Sequence, residues 1–71
     1  MTIGEAIRKA RKNKGVTQTE LAKLSGIEQC SICLYERDII SPSMFRAICI
    51  ADVLDVTLDE LVGRTVNNGS T

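Results

Sequence analysis

The chain has 71 residues, 44% hydrophobic and 25% charged, with 3% aromatic residues and no Trp. That length fits one domain with an aliphatic core and a thin stability margin, because so small a chain buries only about 60% of its unfolded surface. Nine Lys and Arg balance nine Asp and Glu, and no apolar run approaches the roughly 20 residues that cross a bilayer, so a membrane span is excluded. In chain order, Thr2 caps a first helix whose apolar positions Ile3, Ala6, Ile7 and Ala10 keep the helical period. Lys12 and Lys14 suit its C-terminal dipole, and Gly15 suits the left-handed residue that follows. Thr17-Gln18-Thr19-Glu20 reads as a capping box. In it the hydroxyl accepts from the third amide and the Glu reaches back to the cap. Leu21, Ala22 and Leu24 continue that second helix to Gly26. Glu28 starts a third segment with Ile32 and Tyr35 turned inward, and Arg37 to Ser41 reads as a loop. Ser41 or Ser43 caps a fourth helix, Met44 to Leu54, with Pro42 tolerated in its first turn. Thr57-Leu58-Asp59-Glu60 is another capping box, opening a last helix that ends at Gly63. The expected organisation is one domain over residues 1–63 and a polar tail over 64–71, frayed at its end.

The charges are unevenly distributed. Residues 1–27 carry Arg8, Lys9, Arg11, Lys12, Lys14 and Lys23 against Glu5 and Glu20, a surplus of four positive charges. Residues 28–71 carry a surplus of four negative charges. A dipolar protein can turn a basic face to phosphate while its sum is zero, although an isolated basic run is more often a solvated helix face. Met1 to Glu5 shows no secretory pattern, so the expected location is the cytoplasm. Three Cys cannot all pair within one chain, and in a reducing compartment they are expected as thiols.

The most informative stretch is 17–36, a short capped helix, a tight turn at Gly26 and a second short helix. Two helices joined so closely cross steeply, and the second can project from the surface. Such a helix fits the major groove of DNA. The residues that carry a family likeness are Ile7, Arg11, Gly15-Val16-Thr17-Gln18, Glu20-Leu21-Ala22, Gly26-Ile27, Ile32, Tyr35-Glu36-Arg37, Pro42-Ser43, Ala51, Leu54 and Val56 to Leu61. In that order and spacing, residues 3–62 resemble the phage-repressor-like helix-turn-helix domains of the Cro and XRE type.

The resemblance implies an all-α, compact five-helix bundle in which helices 2 and 3 form the helix-turn-helix. The second helix would lie across the phosphate backbone and the third would enter the major groove. Gln18 opens the former and Gln29 the latter. In family members with Gln at both places the two amides hydrogen-bond each other, the first holding a phosphate and the second reading adenine. An amide does carry a donor and an acceptor side by side, matching adenine N7 and N6. The implied double-stranded DNA contacts are Thr17, Gln18, Lys23, Glu28, Gln29, Cys30, Cys33, Leu34 and Arg37. Arg11 and Glu36 match a family pair that bridges the first and third helices, a structural role rather than a DNA contact.

The sequence departs from the family on the DNA-facing side. Glu28, Cys30, Cys33 and Leu34 stand where polar or basic residues are usual, and Asp38-Ile39-Ile40 replaces a basic loop. Glu28 repels a nearby phosphate, and each lost phosphate contact lowers the salt slope by about 0.9. Weak DNA binding, or binding that leans on dimerisation, is the expectation. Leu34 or Cys33 can still pack on a thymine methyl. Ile39, Ile40, Phe45, Cys49 and Val53 are expected as dimer interface, the last three at i, i+4, i+8 on one helical stripe, because exposed apolar patches mark interfaces. Cys30 and Cys33 at i, i+3 raise a metal or redox reading. A zinc site needs four ligands, the chain has no His, and Cys49 is distant. Small helix side chains are the simpler reading, and neither metal nor cofactor is expected.

No Gly-rich phosphate loop and no nucleophile with its base is present, so an enzyme is not expected. The expected function is a sequence-specific DNA-binding transcriptional regulator, a repressor, acting as a homodimer on a two-fold operator. The competing reading is a protein-interaction module of the same fold that has lost operator binding and meets a protein partner instead.

Overall fold

The computed structural model describes residues 2–62, so the predicted tail over 64–71 and the helix end at Gly63 lie outside the described residues. Four helices are α1 (Ile3–Lys14), α2 (Gln18–Ser25), α3 (Gln29–Glu36) and α4 (Met44–Leu54). A fifth helical segment, α5, covers 58–62. The described residues contain no strand.

Local chemistry sets the boundaries. Thr2 Oγ1 accepts from the Glu5 amide at 3.1 Å, and Glu5 accepts from the Thr2 amide at 2.9 Å. The same reciprocal pair joins Thr17 and Glu20 at 3.0 and 2.8 Å, and Thr57 and Glu60 at 3.1 and 2.8 Å. Each box satisfies two of the amides that a helix start otherwise leaves open. Gly15 and Gly26 end α1 and α2 at φ 79° and 74°, a left-handed region that costs a residue with Cβ about 1 kcal/mol. Ser43, not Ser41, caps α4, accepting from the Arg46 amide at 3.2 Å. Pro42 therefore stands just outside the helix rather than in its first turn, where its missing amide hydrogen removes no helical bond.

The helices pack as α1 on α3 and α4, and α2 on the same two. Ile7, Leu21, Ile32 and Ile50 are fully buried, and Ile27, Tyr35, Ala51, Leu54 and Leu61 complete the core around them. Ile32 and Tyr35 turn inward as their spacing predicts. Leu24 does not: it lies on the exposed side of the last turn of α2. Core placement of Ile32 and Tyr35 fixes the rotation of α3, since residues three apart share a face. The start of that helix is thereby left on the surface.

Candidate nucleic-acid interface

The candidate site is built at the two adjacent helix starts. Thr17 is exposed and its hydroxyl is occupied by the α2 capping box. Gln18, the first residue of α2, is half-buried, and its Nε2 donates to Glu36 Oε1 at 3.0 Å. Gln29, the first residue of α3, is exposed, and its Oε1 accepts from Thr19 Oγ1 at 3.1 Å. The expected amide-to-amide bond between Gln18 and Gln29 is therefore replaced by two separate links. The cause is competition. Glu36 offers Gln18 a charged acceptor, which makes a stronger bond than a neutral amide oxygen, and Thr19, two residues after Thr17, offers Gln29 a hydroxyl.

Arg11 and Glu36 anchor this arrangement from below. Arg11 Nε and Nη2 reach the two Glu36 oxygens at 2.7 and 3.0 Å, and Nη1 donates to the Val16 carbonyl at 3.1 Å. Their side chains are 12% and 4% exposed. The hydrogen bond to Glu36 raises the guanidinium above its ordinary pKa, outweighing the opposing effect of burial. The Arg11–Glu36 pair thus ties α1, the loop before α2, the first residue of α2 and the end of α3. A two-pronged pair of this kind fixes relative orientation more than it adds stability.

The other predicted residues are spread around this centre. Glu28 is exposed at the N-cap of α3 and makes no capping bond with its side chain. Cys30 is exposed, Cys33 and Leu34 are half-buried, and Arg37 is exposed at the C-terminal end of α3. Lys23 is exposed in the last turn of α2, next to Leu24. Cys30 and Cys33 are free thiols. Among the described residues, no group of three His, Cys, Asp or Glu gathers to hold a metal ion.

The residues predicted as dimer interface divide into two sets. Ile39, Ile40 and Phe45 are exposed, Phe45 at 74%. Cys49 and Val53 are half-buried and pack against the core. The i, i+4, i+8 stripe does not stay on one side, because each step of four residues advances about 40° around a helix. By Val53 the stripe has turned from solvent toward the core. Met44 and Ile48 are exposed beside Phe45. The sequence signal for these two was present in the nearly all-round apolar character of α4, which alone does not say which face is covered.

Asp38 opens the loop in which Ile39 and Ile40 replace the expected cations, and the structure gives it a part of its own. At φ 60° it turns its carboxylate onto the start of α1. There Oδ2 accepts from the Thr2 hydroxyl at 2.8 Å and Oδ1 from the Gly4 amide at 3.1 Å. Gly4 permits this approach: a Cβ there would meet the Tyr35 carbonyl and Asp38 Oδ1, the latter at 2.6 Å. Arg46 on α4 donates to the hydroxyl of buried Tyr35 at 2.9 Å, which raises the Arg46 pKa. The C-terminal half of α3 is thus held from both sides while its first two residues, Gln29 and Cys30, are exposed.

A small helical bundle with a capped helix, a glycine turn and a second helix whose start is exposed defines a helix-turn-helix domain. The helix-turn-helix family profile matches residues 7–61, and the chain belongs to that family. Its relatives include the cryptic phage CTXphi transcriptional repressor RstR of Vibrio cholerae serotype O1, 38% identical over 64 residues, 90% of this chain and 57% of the relative. The chain spans about half the length of the curated relatives it matches. Among solved structures, it is similar to the biofilm master regulator SinR of Bacillus subtilis in complex with DNA. That match has a TM-score of 0.83 and 32% identity over 86% of this chain and 98% of the other. The restriction-modification controller protein C.AhdI from Aeromonas hydrophila matches with a TM-score of 0.80 and 32% identity, over 83% of this chain and 89% of the other.

Proposed function

We propose that the chain is the DNA-binding part of a sequence-specific transcriptional regulator, a repressor, working in the cytoplasm as a homodimer on a two-fold operator and catalysing nothing. The observation that carries this reading is Gln29. It is exposed at the first position of α3, on a helix whose other face is locked into the core by Ile32 and Tyr35. The relatives' names support the reading, since RstR is a phage repressor and SinR is bound to DNA in its crystal structure.

In this reading α3 enters the major groove by its N-terminal end, and Gln29 reads adenine through N7 and N6, a contact that discriminates by about 1–3 kcal/mol. Cys30, Cys33 and Leu34 lie along the same helix and give apolar contact to thymine methyl groups. Gln18 and the start of α2, with Thr17, hold a phosphate. One amide hydrogen of Gln18 goes to Glu36, and the second remains for phosphate. Lys23 and Arg37 add cationic contacts at the ends of α2 and α3. Glu28 works against binding at the groove edge. Ile39, Ile40 and Phe45, with partial contributions from Cys49 and Val53, form the dimer surface.

Selection of bound sequences from a random duplex pool tests the reading. Enrichment of a two-fold site is the expected result. Gln29→Ala then relaxes the preference at one base pair per half-site, and Gln18→Ala weakens all sequences alike. A pool that stays random rejects the assignment. The same exposed apolar side chains, Ile39, Ile40, Met44, Phe45 and Ile48, favour a second reading, a protein-interaction module without operator binding. A random pool together with a stable complex of a second protein at these residues would select it.

A further inference from the structure

We propose that Thr19 is a positioning residue for base recognition, tethering the Gln29 amide where it meets the base edge. The proposal rests on the assignment of Gln29 to base contact and adds the group that makes that contact selective.

The last torsion of a glutamine side chain is broad and roughly two-fold. An exposed, unattached amide therefore presents its oxygen and its nitrogen in either order. A base edge demands one order, because adenine places an acceptor at N7 beside a donor at N6. Thr19 Oγ1 donates to Gln29 Oε1 at 3.1 Å across the turn between α2 and α3. Both side chains are exposed, so this bond contributes no core packing. What it does is tether the amide beside the start of α2 and take away much of the freedom that an unattached glutamine side chain keeps. A carbonyl oxygen keeps a second lone pair after accepting one hydrogen bond, so the anchored amide can still accept from N6 while donating to N7.

Thr19 is itself held. It is the second residue of α2, between Thr17 and Glu20, and the reciprocal bonds of those two residues fix the backbone on either side of it. Gln18 is pinned separately by Glu36. The two glutamines are thus oriented by different partners, so recognition and phosphate contact are separable by mutation.

The experiment is a double-mutant cycle on sequence preference. The unaltered chain, Thr19→Val, Thr19→Ser, Gln29→Ala and the Thr19→Val/Gln29→Ala double variant are each titrated against the selected site, against that site changed at the Gln29 base pair, and against random-sequence duplex. Thr and Val are nearly the same shape and have similar helix propensity, so α2 is retained. Thr19→Val is expected to reduce the preference at that base pair by about three- to tenfold, the worth of one neutral hydrogen bond. Affinity for random duplex stays unchanged. Thr19→Ser keeps the preference, and Thr19→Val has no further effect once Gln29 is Ala.

Full preference in Thr19→Val overturns the proposal. So does a uniform loss on all duplexes that persists beside Gln29→Ala, which makes Thr19 a phosphate contact of its own. If the unaltered chain enriches no sequence, the base-reading assignment falls and the role of Thr19 falls with it; the other two outcomes leave that assignment standing.

Discussion

Glu36 sits at the centre of this arrangement. Its two oxygens receive Arg11 twice and Gln18 once, and its side chain is 4% exposed. Removing one partner of such a pair leaves an uncompensated charge out of water, whereas replacing both by apolar groups is often nearly neutral. Glu36→Ala is therefore expected to cost about 3 kcal/mol in a urea titration, and Arg11→Met with Glu36→Leu to cost clearly less. An equal loss in single and double variants would mean that the carboxylate acts by packing alone. The same network explains why Gln18, although predicted as a surface contact, is half-buried: it adds a third hydrogen bond to a buried carboxylate.

The connection between α3 and α4 shows how a loop can govern a helix. Asp38 sits in the left-handed region and covers the start of α1, where a carboxylate both accepts amide hydrogens and complements the helix dipole. Through this contact the end of α3 is registered on α1, and the angle at which α3 leaves the bundle is set. Asp38→Ala is expected to lower stability by about 1–2 kcal/mol, as for loss of a helix cap. Asp38→Asn, which keeps an acceptor and tolerates positive φ, should lose less. Thermal denaturation of the two variants checks the order; an Asn variant as damaged as the Ala variant would show that the charge, not the hydrogen bonds, is what matters. Beside Asp38, Ile39 and Ile40 remain exposed, so the loop joins an internal clamp to an outward apolar surface.

Among the described residues, the exposed large apolar side chains other than Leu24 gather on the loop after α3 and the first half of α4, while the glutamines mark the starts of α2 and α3. In the proposed homodimer the first set joins two copies and the second set faces DNA. Phe45 is 74% exposed, so replacing it leaves the core intact. Phe45→Glu is expected to shift the sedimenting species from dimer to monomer with an unchanged helical spectrum, and to weaken operator binding more than binding to random duplex. A dimer of undiminished stability would move the interface elsewhere. With the two isoleucines in place of cations, few phosphates are neutralised per subunit, so the logarithm of affinity should fall only shallowly with salt, by about 0.9 per contact.

Much of this architecture is written in short-range chemistry. The cap at Thr2, the capping boxes at Thr17 and Thr57, the glycines at 15 and 26, and the inward pair Ile32 and Tyr35 were all legible, because each depends on residues a few positions apart whose geometry the helix itself fixes. Arg11 and Glu36 could be matched only through a family pattern, since 25 residues separate them. The choice of Thr19 for Gln29, of Glu36 for Gln18 and of Asp38 for the start of α1 belongs to the tertiary structure. Side chains with several available partners bond to whichever one the packing of distant helices brings within about 3 Å, and no local period encodes that distance.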